Sequence, residues 1–260
     1  MTAGFVSSYG QPHRAGARTV VLVHGAGMDH TVWALQGRHL AFHGWNALAV
    51  DLPGHGRSRE LPPLTSIEAI ADWLAALIAD VGPAPATLIG HSMGALAALA
   101  TTARHPERVA ALGLVGAAAR MPVHPELLAL AAAHDPKAVE LMCDWAFGPR
   151  GLIGGNPHPG GWLQGSAGAL LRNGNAAVLS GDLAACDAYA EGSMHAAAVQ
   201  CPAVVVIGAA DRMTSPKAGQ QLAGLIPGAR TASIEGAGHM MMVEHPEACL
   251  EALRDFLAAG

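Results

Sequence analysis

Ala86-Thr-Leu-Ile-Gly90-His91-Ser92-Met93-Gly94-Ala-Leu-Ala-Ala-Leu-Ala100 decides how this chain is read. Ala86–Gly90 has strand length and apolar character. Ala95–His105 is alanine- and leucine-rich, and the helix expected there, starting at Ser92, must stop before Pro106. Between them Gly90-His91-Ser92-Met93-Gly94 spells G-x-S-x-G. Alone, that pentapeptide is a weak signal, and a serine at a helix start is ordinarily just a cap. At a strand-to-helix turn it becomes a nucleophile elbow: the serine is held in strained backbone geometry and its hydroxyl stands at the top of a sheet. The Met93 amide then lies at a helix N-terminus, where an oxyanion finds a free donor.

Working outward, short β-branched runs alternate with helical patterns. Thr19–His24, Trp45–Asp51, Val109–Val115, Ala203–Gly208 and Arg230–Ile234 read as further strands. Several are apolar almost throughout, as parallel strands covered on both faces are. The clearest helix starts at Ser66 and runs to about Ala79, with Ile67, Ile70, Leu74, Leu77 and Ile78 on one stripe. Thr65 and Glu68 read as its capping box. Another helix is expected near Pro246, with Leu250, Leu253, Phe256 and Leu257 inward. The expected fold class is α/β, a mostly parallel doubly wound sheet. Its functional groups belong at the carboxyl ends of the strands. Residues 119–198 break the alternation. They carry helical patterns at Pro125–His134, Pro136–Phe147 and Ala176–Glu191, and a Gly- and Pro-rich stretch, Gly148–Gly161, but no convincing strand. The segment is far too long for an ordinary connection and reads as a helical lid inserted into a core of 1–118 and 199–260.

Three loops at strand ends gather candidate chemistry. Val23-His24-Gly25-Ala26-Gly27 offers Ala26 as a second oxyanion donor beside Met93, with His24 as a support. Its glycines fail the dinucleotide pattern because position 30 is histidine. After the strand Ala203–Gly208 comes Asp211, and after Arg230–Ile234 comes His239 on Gly236-Ala-Gly-His239. Where an elbow serine is the nucleophile, carboxylate and histidine follow in that order. Ser92, Asp211 and His239 therefore form the expected triad. Met28, Trp145, Trp162, Met213 and Met240 are candidate pocket walls, each equally able to be core filler.

The blocks His24-Gly25, Asp51-Leu-Pro-Gly-His-Gly-Arg-Ser58, the elbow and Gly236-Ala-Gly-His239 resemble, in order and over nearly the whole length, the α/β-hydrolase superfamily. The resemblance is closest to small carboxylesterases and lactonases, the pimeloyl-ester esterase type among them. It implies Ser92 as nucleophile, His239 as base, Asp211 as acid and the Ala26 and Met93 amides as oxyanion donors, cleaving esters of small or medium apolar substrates through an acyl-enzyme. The Asp51–Ser58 block is a structural loop on this reading. One departure is the short chain before Thr19, which predicts that one or two edge strands are missing. The same triad would also serve C–C bond hydrolysis, lyase or perhydrolase chemistry, or the fold could be a non-catalytic ligand receptor.

Composition narrows the partners. The 260 residues are 51% hydrophobic and 13% charged, enough for a full core. The formal net charge is −5, and no basic cluster is present, so nucleic acid is not an expected partner. No apolar run approaches the roughly 20 residues of a membrane span, and the first 20 residues lack a signal-peptide order. Cys143, Cys186, Cys201 and Cys249 form no CxxC pair, which points to a reduced, cytoplasmic setting. No cofactor and no metal are expected. His39 and His43 have i, i+4 spacing but no zincin glutamate between them.

Overall fold

The computed structural model describes residues 4–82, 84–156 and 161–258. In chain order the elements are β1 (Val6–Ser7), β2 (Thr19–Val23), α1 (Ala34–Phe42), β3 (Asn46–Val50), α2 (Ile67–Val81), β4 (Ala86–His91), α3 (Met93–Arg104) and β5 (Val109–Val115). Five helices follow: α4 (Pro125–Ala132), α5 (Lys137–Ala146), α6 (Leu163–Asn173), α7 (Ala176–Ala188) and α8 (Gly192–Ala197). The chain then returns to the sheet with β6 (Ala203–Gly208), α9 (Pro216–Leu225), β7 (Arg230–Ile234), α10 (Met241–Glu244) and α11 (Pro246–Ala258).

The strands form one sheet in the order β1-β3-β2-β4-β5-β6-β7. All pairings are parallel except β1 with β3. The six strands expected from β-branched runs are all present. The edge strand β1, two residues long, is the one the sequence reading left out. It pairs Val6 with Val50 and Ser7 with Ala49, which places an antiparallel cover on the β3 edge. β4 is buried along its whole length and β2 along four of five residues, so their hydrophobic runs have no solvent face. β7, at the opposite edge, is exposed at Arg230, Thr231 and Ser233 and buried at Ile234.

Local chemistry sets the boundaries of α2. Its cap is Ser66, whose hydroxyl accepts from the Ala69 amide. That corrects the expected Thr65 capping box by one residue: Ser66 takes extended backbone angles while its oxygen reaches the third residue of the helix. Ile67, Ile70, Leu74, Leu77 and Ile78 are buried. The segment 119–198 carries α4 to α8. Of these, α6 and α8 were not foreseen. The expected Gly148–Gly161 stretch contains a short 3₁₀ turn at Pro149–Gly151, and 157–160 of it lie outside the described residues. Among the described residues, no helix is long and apolar enough to cross a membrane. The four cysteines are free thiols; Cys143, Cys186 and Cys249 are buried.

Candidate active site

Ser92 lies between β4 and α3, with φ 53° and ψ −119°. This is left-handed backbone on a residue with a Cβ, a strained state that surrounding packing must hold. The turn is possible because Gly94 has no side chain: a Cβ there would run into the His24 carbonyl oxygen of the neighbouring loop. As the first residue of α3, Met93 has an amide with no intrahelical acceptor. Ser92 is 8% exposed, on the wall of a cavity of about 490 Å³.

The loops after β7 and β6 bring His239 and Asp211 together, with His239 on the cavity wall. The His239 Nδ1 and Asp211 Oδ2 atoms are 2.8 Å apart, with both side chains buried. Asp211 has every acceptor site filled. Its Oδ1 accepts from the Met213 and Thr214 amides, each at 2.8 Å, and its Oδ2 also accepts from the Thr214 hydroxyl at 2.6 Å. Burial would raise the Asp211 carboxyl, but the His239 charge and the hydrogen bonds from His239 and Thr214 outweigh it and hold the group below its ordinary value. With Nδ1 engaged, His239 keeps Nε2 unbonded among the described residues, and both His239 and Ser92 line the cavity.

The loop after β2 forms the facing wall. The Met28 amide donates to the Gly25 carbonyl at 3.2 Å, closing a turn whose third residue, Gly27, has φ +66°. Ala26 lies inside this turn, and its amide donates to no described residue. His24 supports the loop from below: its Nδ1 faces the Gly25 carbonyl at 2.9 Å, and its Nε2 accepts from the Leu52 amide at 3.1 Å. Burial, then the neighbouring His55, push the His24 pKa well down, so the ring is neutral and one nitrogen remains an acceptor.

The expected wall residues divide. Met28, Trp145, Met213 and Met240 line the cavity with Ala26. Trp162 does not: it precedes α6, is half exposed, and stands off the lining. Its indole packs instead over Gly165 of α6, where a Cβ would collide with it. Three contributors escaped the sequence reading. Thr214 is one. The second is His91, whose Nε2 lies 3.0 Å from the His239 carbonyl oxygen. Burial and the adjacent His239 depress its pKa to about 3, so it is a neutral ring that donates through Nε2. The third is Arg212, the single Lys or Arg on the cavity wall. Position within the motif marked His91, and adjacency to Asp211 marked Thr214 and Arg212, but side-chain direction is absent from sequence.

For metals, Asp29, His30 and Asp51 bring ligand atoms within 4.8 Å of one another. Those atoms already serve the loop. Asp51 Oδ1 accepts from the His30 amide at 2.7 Å and faces His30 Nδ1 at 2.8 Å, its Oδ2 accepts from the Arg57 amide, and Asp29 caps Thr31. His39 and His43 stack, ring centroids 3.9 Å apart, and His43 Nδ1 faces the His39 carbonyl.

Known proteins align along most of this chain. The profile described as the alpha/beta hydrolase family matches residues 20–252. A pimeloyl-[acyl-carrier protein] methyl ester esterase of Chromobacterium violaceum is 34% identical over 262 residues, covering 97% of each chain. A protein of the same description from Neisseria meningitidis serogroup B is 32% identical over 251 residues, covering 94% of each. Among solved structures, the enol-lactonase from Burkholderia xenovorans LB400 superposes with a TM-score of 0.85 at 25% identity, covering 98% of this chain and 96% of that one.

Proposed function

The chain belongs to the alpha/beta hydrolase family and is a carboxylic ester hydrolase, and from that premise we propose that Ser92, His239 and Asp211 carry the reaction. The observation that supports this most is the 2.8 Å bond from His239 Nδ1 to a fully satisfied Asp211 carboxylate, with Nε2 left unbonded at the cavity that Ser92 lines.

In the proposed reaction, Ser92 Oγ attacks the ester carbonyl carbon while its proton passes to His239 Nε2. The carbonyl oxygen becomes an oxyanion, received by the Ala26 and Met93 amides; each such donor contributes about 3 kcal/mol in sites of this kind. Asp211 stays ionised, holds the imidazole tautomer and stabilises the imidazolium. The proton then goes to the leaving alcohol oxygen as its bond to the acyl carbon breaks. Water repeats the sequence on the acyl-enzyme, losing a proton to His239, and releases the acid. No metal or cofactor takes part in these steps.

The substrate reading follows the cavity wall. Met28, Met121, Leu127, Met142, Trp145 and Leu183 surround Ser92 with apolar surface, which suits a small or medium apolar acyl chain. Residues 119–198 act as the lid over this cavity, set on a core of 1–118 and 199–260; 157–160 are outside the described residues. A reduced cytoplasmic setting suits four free thiols.

Ser92→Ala tests the assignment. Turnover of p-nitrophenyl butyrate is expected to fall by at least about 10³-fold with the thermal midpoint retained, and labelling by a fluorophosphonate to disappear. A folded Ser92→Ala enzyme with wild-type turnover would overturn it.

A further inference from the structure

One buried carboxylate outside the triad joins three segments. Asp182 lies on α7 and is 2% exposed. Its Oδ2 accepts from the Gly27 amide at 2.8 Å and meets His55 Nε2 at 2.8 Å. The His55 ring faces an acceptor on each side, the Pro53 carbonyl at 3.1 Å from Nδ1 and Asp182 from Nε2. An imidazolium would satisfy both, and the pull of Asp182 overcomes burial to raise the His55 pKa. Leu179, one turn earlier on α7, packs so closely on Gly27 that a Cβ there would collide with it.

The Gly27 amide belongs to the 26–27 peptide, the central plane of the turn closed by Met28 and Gly25. Holding that N–H fixes the rotation of the plane, and with it the direction of the neighbouring Ala26 amide. We propose that Asp182 is a positioning residue for ester cleavage: from α7, braced by His55, it clamps the 26–27 peptide so that the Ala26 amide faces the developing oxyanion. The inference rests on the reading of Ala26 as an oxyanion donor. It makes the helical segment part of the catalytic geometry as well as a wall of the cavity. A donor misplaced by about 1 Å loses most of its effect on the transition state and little of its effect on substrate binding.

The experiment measures p-nitrophenyl butyrate kinetics and the affinity of an alkyl trifluoromethyl ketone, which forms a tetrahedral adduct, in Asp182→Ala, Asp182→Asn and Asp182→Glu. In Asp182→Ala, kcat is expected to fall about 10- to 100-fold with KM within about threefold, and ketone affinity to fall in parallel. Asp182→Asn keeps an acceptor oxygen for Gly27 and is expected to recover both to within about threefold. If Asp182→Ala does not fold, Asp182→Glu carries the test. Its carboxylate, one methylene too long, displaces the peptide, and at least a tenfold loss in kcat at constant KM is expected. Wild-type kcat in the folded alanine variant, or in the glutamate variant where alanine does not fold, overturns the proposal. So does a loss of kcat that asparagine fails to restore. Fluorophosphonate labelling of wild type, absent in Ser92→Ala, separates failure of this inference from failure of the triad assignment.

Discussion

At the scale of the residue, the Asp211 carboxylate shows how a buried charge is tolerated. Four donor contacts, the His239 imidazole among them, offset its desolvation. Thr214 supplies two of the four, so Thr214→Val removes the hydroxyl while keeping the shape. It is expected to lower kcat about 3- to 10-fold, the worth of roughly 1 kcal/mol of lost hydrogen bonding, and Thr214→Ser to restore it in the same assay. A carboxyl whose folded pKa is depressed contributes stability that is present in full above its unfolded value, about 3.9. That contribution is lost as the pH falls through the folded value. Thermal midpoints measured from pH 6 down to pH 2 are therefore expected to drop more steeply below about pH 4 in wild type than in Asp211→Asn. His91 makes the complementary point. The motif points to Ser92 and the Met93 amide, but the bond from His91 to the His239 carbonyl bridges 148 positions of chain and is not written in it.

At the scale of the element, the β4–α3 turn is where backbone geometry and chemistry meet. The strain at Ser92 is sustained by tight contact of α3 with the strand-end loops, and Gly94 is the point of closest approach. Gly94→Ala is expected to cost more than about 3 kcal/mol, because rigid backbone would have to move; urea unfolding midpoints check this. Element identity was largely legible beforehand. β2 to β7 follow from short β-branched runs, several of them apolar almost throughout, and α3 and α11 from periodicity and proline punctuation. The misses have physical causes. β1 is two residues long and gains its stability from pairing with β3 rather than from its own pattern. Helix α6 begins without a side-chain cap, at Trp162, and carries Gly165 and Gly168. Its sequence gives few local start signals.

At the scale of the molecule, a seven-stranded sheet supplies a rigid rim, and α4, α5 and α7 from between β5 and β6 contribute side chains to the cavity wall. Leu183 on α7 and Leu127 on α4 line that cavity, so Leu183→Trp is expected to shift the preferred ester toward shorter acyl chains. Comparing kcat/KM for p-nitrophenyl acetate and octanoate checks this, with at least a tenfold loss expected for octanoate and less than threefold for acetate; each buried CH₂ contributes about 0.8 kcal/mol. Sequence alone determined strands β2 to β7, the elbow and the strand-end loops that carry Asp211 and His239. Hydrophobic periodicity, glycine placement and chain order are local properties, and they survive in one dimension. Tertiary structure alone decided which side chains share the cavity. It placed Met28, Trp145, Met213 and Met240 on the wall, left Trp162 outside, and brought Asp182 against Gly27 from 155 positions away. Such pairings depend on how helices pack across the sheet rim, and no local pattern encodes the partner of a buried carboxylate.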